Sequence, residues 1–262
     1  MNKFEKICKD IKSVKIQGAT NVAKAAIRAY LLKPTHSSKK KLISLRPTEP
    51  TLVNSLNFLK KWSRKSILSH FDEAQDRINS LVYKVLKNKK IIYTHCHSTN
   101  VVKALIYSKK KGRKFSVSLT ETRPLYQGRK TAMELANARI KATLYADSAM
   151  HDAIEKADLI LLGADAILNS GVINKIGSEA ISDIAKTHNI PLHIIADSWK
   201  FSPKNVKIEE RDFHEVWRKA PKNIKIRNPA FEKIPKKNIK SIISELGNLK
   251  YSGFIKKADK II

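Results

Sequence analysis

The stretch KKIIYTHCHSTNVVKALIYSKK (residues 89–110) is where the chain changes rhythm. Its first half, IIYTH (91–95), is a short run of β-branched and aromatic residues of the kind that forms a buried strand. Its second half, TNVVKALIYSKK, carries apolar residues at helical spacing behind a Ser-Thr pair. A strand that turns directly into a helix opens a βαβ unit, and the alternation continues downstream. Strands are expected at 114–120, 142–146, 158–164 and 192–197, separated by helical patterns in GRKTAMELANARIKA, SAMHDAIEKA and GSEAISDIAKTHN. Such a pattern predicts an α/β fold with right-handed crossovers and a parallel sheet covered on both faces. A Rossmann-like domain over residues 89–262 follows. It has neither a G-x-G-x-x-G after its first strand nor a P-loop, so dinucleotide and Walker-type phosphate binding are not indicated.

Residues 1–88 read as a helical N-terminal domain. Phe4, Ile7, Cys8 and Ile11 keep the spacing of one buried helix face, which makes Cys8 a small core residue. NVAKAAIRAYLL (21–32) is a second helix that stops before Pro34. HSSKKK is expected to be a loop. Leu52, Val53, Leu56, Leu59 and Trp62 mark another helix, and Ile67 through Val85 a long one.

Composition narrows the class. The 52 Lys and Arg outnumber the 23 Asp and Glu to give a net charge of +29, a field that attracts anions from sugar phosphates to RNA. The densest basic run, KKKGRK (109–114), has no interleaved aromatic and so reads as a solvated face more than a nucleic-acid groove. RNA association is the weaker alternative. No apolar run approaches the roughly 18 residues of a membrane span, and residues 1–15 lack the apolar core of a secretory leader. The two cysteines, Cys8 and Cys96, lie far apart in sequence, which fits a reducing cytoplasm better than a disulfide framework.

In an open α/β sheet, ligands bind beyond the carboxyl ends of the strands. There the sequence places HCHST with Cys96, Ser98 and Thr99, then ETRPLYQG with Glu121 and Arg123. After the fourth strand comes GADAILNSGVINKIG with Asp165, Asn174 and Lys175, and after the fifth DSWKFSP with Asp197 and Lys200. A thiol, several carboxylates and several cations thus share one rim, a set suited to a phosphorylated substrate. Cys96 falls near a helix N-terminus, where amides and cations are expected to lower its pKa. Arg123, Lys175 and Lys200 supply charge-assisted donors, and Ser98 and Thr99 hydroxyls for an oxyanion. A thiolate facing a carboxyl group is the pair an aldose–ketose isomerase requires. Periodicity alone leaves Cys96 open between that role and a packed small hydrophobe, Asp165 between acid and turn cap, and Lys200 between ligand and surface lysine. Consecutive His-Cys-His residues point to opposite sides of a strand, and no second ligand pair completes a tetrahedron, so no metal is expected.

The motifs KIQGATNVAKAA, SLRPTEPTLVNSL, THCHST, TETRPLYQGRKTA, LLGADAILNSGVINKIGSEAISDIAKTHNIPLHIIADSWKFSP, EERDFHEVW and IRNPAFEKIP run in order from Lys15 to Pro235. The set resembles the superfamily that joins the regulatory subunits of translation initiation factor 2B, archaeal ribose-1,5-bisphosphate isomerase and methylthioribose-1-phosphate isomerase. The resemblance implies a helical N-terminal domain on a Rossmann-like domain of the NagB/RpiA/CoA transferase-like kind, assembled as dimers or hexamers. It implies Cys96 as proton acceptor and Asp165 as proton donor. It implies that a sugar bisphosphate is held by Gln17, Gly18, Ala19, Thr20, Arg46, Ser98, Thr99, Asn174, Lys175 and Lys200, without metal or organic cofactor. Gln17 stands where the isomerase pattern has an arginine, and the segment from Asp165 to Asn174 is one residue shorter than usual. The function this implies is conversion of ribose 1,5-bisphosphate to ribulose 1,5-bisphosphate in nucleotide salvage, with AMP a candidate activator. The alternative is a non-catalytic subunit that binds a translation initiation factor or senses a phosphorylated metabolite.

Overall fold

Five helices form first: α1 (Lys3–Lys12), α2 (Ala19–Leu32), α3 (His36–Ser44), α4 (Pro50–Phe58) and α5 (Arg64–Val85) in a computed structural model that describes residues 1–262. Helix α1 starts where the Asn2 side chain accepts a hydrogen bond from Glu5 N, and it buries Phe4, Cys8 and Ile11, as their spacing predicts. The HSSKKK stretch, expected to be a loop, is the body of α3. Thr35 caps it by accepting from Ser38 N, and Leu42 anchors it in the core, so a cap and one buried leucine outweigh a polar composition. Leu59 and Trp62 lie just beyond the end of α4. Trp199, from far down the chain, packs into the same cluster as α1, α2 and α4, and Asn54 Nδ2 ties α4 to the Trp199 and Phe201 carbonyls at 2.8 and 3.0 Å.

The rest of the chain alternates: β1 (Ile91–Thr94), α6 (Thr99–Lys110), β2 (Ser116–Thr120), α7 (Gln127–Asn137), β3 (Lys141–Tyr145), α8 (Met150–Glu155) and β4 (Leu159–Leu162). Then come β5 (Ala166–Leu168), β6 (Gly171–Lys175), α9 (Ser178–Thr187), β7 (Leu192–Ile195), β8 (Phe231–Pro235), β9 (Ser241–Ser244), β10 (Gly247–Leu249) and α10 (Tyr251–Ala258). The main sheet has seven strands in the order β10-β9-β7-β4-β1-β2-β3, parallel except for β10. The five expected strands are all present within it. Strands β9 and β10 were not foreseen, and neither was a second, antiparallel sheet, β5-β6-β8. The Asp165–Lys175 region is therefore a β-hairpin, with Asn174 and Lys175 on a strand. Its turn, Asn169–Ser170 before Gly171, is short, and β8, which pairs with it, lies some 60 residues away in sequence, a separation that local reading does not bridge.

Side chains alternate across the sheet as a two-sided core requires. Ile92, Leu159, Leu161, Ile195 and Ile243 face the layer that holds α5, α6 and α7 residues. Tyr93, Ile160, Leu162, Ile194 and Ile242 face the layer of α8, α9 and α10. Chain order runs outward from β1 through β2 to β3 on one side, and from β4 through β7 to β9 on the other. The direction of winding reverses between β1 and β4, which opens a crevice at their carboxyl ends. No helix is long and apolar enough to cross a membrane.

Candidate active site

Cys96 follows β1 and Asp165 follows β4, so the two flank the crevice where the sheet order reverses. Both line a cavity of ≈ 200 Å³. Of the residues singled out in the sequence, Gln17, Gly18, Ala19, Thr20, Arg46, Ser98, Thr99, Asn174, Lys175 and Lys200 also line it. Arg123 does not. Its exposed guanidinium donates to the Tyr126 hydroxyl and to Val216 O, and its backbone N–H to Asp147 Oδ2 at 2.6 Å. The expectation that Arg123 holds substrate is corrected: its corner turns the side chain outward, onto Tyr126.

Two helix N-termini meet in the cavity. Helix α2 begins after Gly18, whose φ of +85° suits glycine, and no side chain caps it. The amides of Ala19, Thr20 and Asn21 therefore lack protein acceptors. Helix α6 begins at Thr99 after the Ser98 cap, and a side chain on Gly18 would sit 3.9 Å from Thr99 Oγ1. Abutting N-termini with open amides favour an anion. Lys175 adds a buried ammonium with no ion pair or side-chain hydrogen bond. Lys200 is buried too, its Nζ donating to Ala164 O at 2.7 Å and reaching Asn100 Oδ1 at 3.5 Å. The Asn174 amide donates to Ser178 Oγ at 2.9 Å, which leaves its carbonyl oxygen free.

Cys96 is clamped by its backbone. Its φ of +63° lies in the left-handed region, unusual for a residue with a side chain. Its N–H donates to Thr122 Oγ1 at 3.0 Å, and its carbonyl accepts from Thr131 Oγ1 at 2.8 Å. Thr122, also left-handed, is held in turn by Asp147 Oδ1 at 2.9 Å. The neighbouring histidines line the same cavity, with their ring nitrogens engaged by other partners. His95 Nε2 donates to Ile176 O at 2.9 Å, so its Nδ1 accepts from Thr120 Oγ1 at 2.7 Å. Burial pushes both His95 and His97 down to about 4, so each is neutral and busy with hydroxyl partners.

The electrostatics correct one expectation. The Cys96 thiol is pushed up to about 11, chiefly by burial, with Lys175 acting in the opposite direction. Cys96 lies ahead of the Ser98 cap, and the Lys175 charge and the His97 amide that favour its thiolate are outweighed by desolvation. The Asp165 carboxyl is likewise raised by burial, against Lys200, Arg46 and Lys175, which suits a proton donor.

Residues that sequence reasoning missed complete the cavity: Lys24, Glu49, Lys103, Glu209 and Arg211. Glu49 is buried and bridges Arg46 at 2.6 Å. The i, i+3 spacing of Arg46 and Glu49 in the quoted SLRPTEP motif was the available clue. Glu209 and Arg211 arrive on the irregular segment between β7 and β8. It is pinned by Thr48 Oγ1 donating to Lys207 O at 2.6 Å and by Arg46 beside Glu209.

A covered parallel sheet with a polar crevice at its reversal point is the arrangement in which open α/β proteins bind ligands beyond the carboxyl ends of the strands. The profile of the Initiation factor 2 subunit family matches residues 15–251, and the chain belongs to that family. A ribose 1,5-bisphosphate isomerase from Archaeoglobus fulgidus is 31% identical over 79% of this chain and 76% of its own. A crystal structure of translation initiation factor eIF-2B from Pyrococcus horikoshii superposes with a TM-score of 0.85 at 26% identity, over 95% of this chain and 98% of that one. A 5-methylthioribose 1-phosphate isomerase from Pyrococcus horikoshii superposes with a TM-score of 0.79 at 25% identity, over 99% and 88%.

Proposed function

We propose that the protein is an aldose–ketose isomerase of a phosphorylated pentose, with ribose 1,5-bisphosphate as substrate and ribulose 1,5-bisphosphate as product. The carrying observation is that Cys96 and Asp165 line one cavity with the uncapped N-terminus of α2, the abutting Ser98-capped N-terminus of α6 and two buried lysines. A phosphate on the anomeric oxygen prevents spontaneous ring opening, so an acid must protonate the ring oxygen; Asp165, raised by burial, fills that role. Breaking of the C1–O4 bond leaves C1 as an oxocarbenium ion through the oxygen that still carries its phosphate. The Cys96 thiolate then takes the C2 proton, and the freed electron pair forms the C1=C2 bond of a 1-O-phosphorylated enediol. Return of the proton to C1, with loss of the proton on O2, yields the ketose. Lys175 and Lys200 stabilise the developing oxyanion.

Thiolate Cys96 beside protonated Asp165 is a reverse-protonated pair: it carries the same proton count as thiol plus carboxylate. Its population is flat between the two pKa values and falls outside them. The reading therefore requires a pH–rate plateau, not a rise toward the thiol's pKa.

The second reading is a binding subunit like the initiation factor relatives. It is favoured by the thiol at about 11 and by Gln17 at the α2 N-terminus, which offers no charge. Homo-oligomer assembly, AMP activation, a translation-factor partner and a cytoplasmic site belong to these proposals. Incubation with ribose 1,5-bisphosphate, with and without AMP, separates the two readings. Formation of the ketose supports the enzyme; saturable binding without turnover rejects it in favour of the subunit.

A further inference from the structure

Glu49 is a buried carboxyl group that the isomerase chemistry leaves unused. It is 2% exposed, lines the cavity and pairs through Oε1 with Arg46 Nη2 at 2.6 Å, while its Oε2 has no partner. Arg46 has a second carboxylate, Glu209, at 3.5 Å, and its Nη1 is buried with no partner. A guanidinium flanked by two ionised carboxylates has no net positive charge to offer a phosphate, yet its Nη1 remains an unpaired donor buried in the wall of the cavity.

We propose that Glu49 is a proton-operated partner of Arg46: the guanidinium takes a substrate phosphate only when Glu49 is protonated, so binding at this end of the cleft takes up a proton. The inference rests on the sugar-phosphate reading above. Its geometry is a choice between two arrangements. With Glu49 ionised, its Oε1 holds Arg46 Nη2, Nη1 stays unpaired, and an approaching phosphate is repelled by the carboxylate. With Glu49 protonated, its O–H can donate to a phosphate oxygen, and Arg46 Nη2 is released to join the unpaired Nη1 in doing the same. The groups that act on Glu49 are Arg46 and Lys200, which favour its charge, and Asp165 and Glu209, which oppose it. Burial outweighs them and holds the group at about 7, where a ligand can shift its protonation at small cost.

Calorimetry of ribose 1,5-bisphosphate binding between pH 6.5 and 8.5, in two buffers of different ionisation heat, tests the idea. The ligand's own second ionisations lie near pH 6 and are nearly complete above 7, so any slope there belongs to the protein. The wild type should take up about one proton per ligand near pH 8, and its affinity should fall roughly tenfold per pH unit above 7. Glu49→Gln should take up none and show a flat profile. Glu209→Gln and Asp165→Asn should keep the slope. Zero proton uptake by the wild type, or an unchanged slope in a folded Glu49→Gln, overturns the proposal while leaving the sugar-phosphate site standing. Absence of any binding by the wild type removes both.

Discussion

Replacing Gly128 by alanine should dismantle the clamp on Cys96. Gly128 sits in the first turn of α7, and a Cβ there would lie 1.8 Å from the Thr120 carbonyl oxygen and 2.9 Å from the Glu121 carbonyl carbon. Both neighbours are backbone, so no flexible side chain can yield, and the β2–α7 corner must open by more than about 1 Å to reach van der Waals contact. The corner carries Thr122, which holds the Cys96 N–H, and α7 carries Thr131, which holds its carbonyl. A misplacement of that size costs about 100-fold in turnover when the displaced group does chemistry. Overpacking of the corner costs roughly 1–3 kcal/mol, or about 2–12 °C in Tm for a domain of this size. The assay pairs thermal unfolding with ketose formation. Gly112→Ala is the control: its φ of +89° brings strain, but a Cβ there meets nothing within 4 Å. That variant should lose about 1 kcal/mol of stability and keep its activity. Wild-type stability together with full turnover in Gly128→Ala would refute the account of how Cys96 is held.

Cys96→Ser and Asp165→Asn should each retain pentose-phosphate binding while turnover drops below detection; unimpaired turnover in both rejects their roles. At saturating substrate the pH profile of kcat should be flat around neutrality, falling on the acid side where both Cys96 and Asp165 hold protons and on the alkaline side near pH 11, where the thiol ionises, and a tenfold rise per unit from pH 7 to 9 would contradict the paired roles. Alkylation of Cys96 by iodoacetamide at pH 8 should run about 100-fold slower than that of an unperturbed thiol, since its thiolate fraction is lower by that factor. Lys175→Met should slow it further, by loss of the cation that opposes the shift. His193, buried against Ser241 Oγ at 2.6 Å, is held down at about 4. The unfolded chain takes its proton below about 6.5, so stability from this group is present at neutrality and lost as pH falls toward 4. The fall in urea midpoint between pH 7 and 4 should accordingly be shallower in His193→Gln than in the wild type.

Much of the architecture was legible because it is written in local periodicity. The run from Ile91 to Lys110 shows strand, turn and helix in consecutive residues, and the same three-part unit recurs. HSSKKK was misread because its helix depends on a single cap, Thr35, and on Leu42 meeting a core built by other segments. Arg123 was misassigned because sequence shows that a residue follows a strand, not which way its corner turns. Glu49 stood in full view three residues after Arg46, but only burial beside Asp165 gives its carboxyl group a chemistry.

The sequence by itself determined the alternation of strands and helices, the helical lead-in and the set of polar residues at strand ends, since each follows from spacing along one segment. The tertiary structure alone decided that β5 and β6 pair with β8, that the α2 and α6 N-termini abut, and that Arg46 shares its charge with two carboxylates. It also decided the sign of the Cys96 shift. A pKa depends on how much water and charge surround a group in three dimensions, and residues close in space to Cys96, Lys175 among them, are distant in sequence.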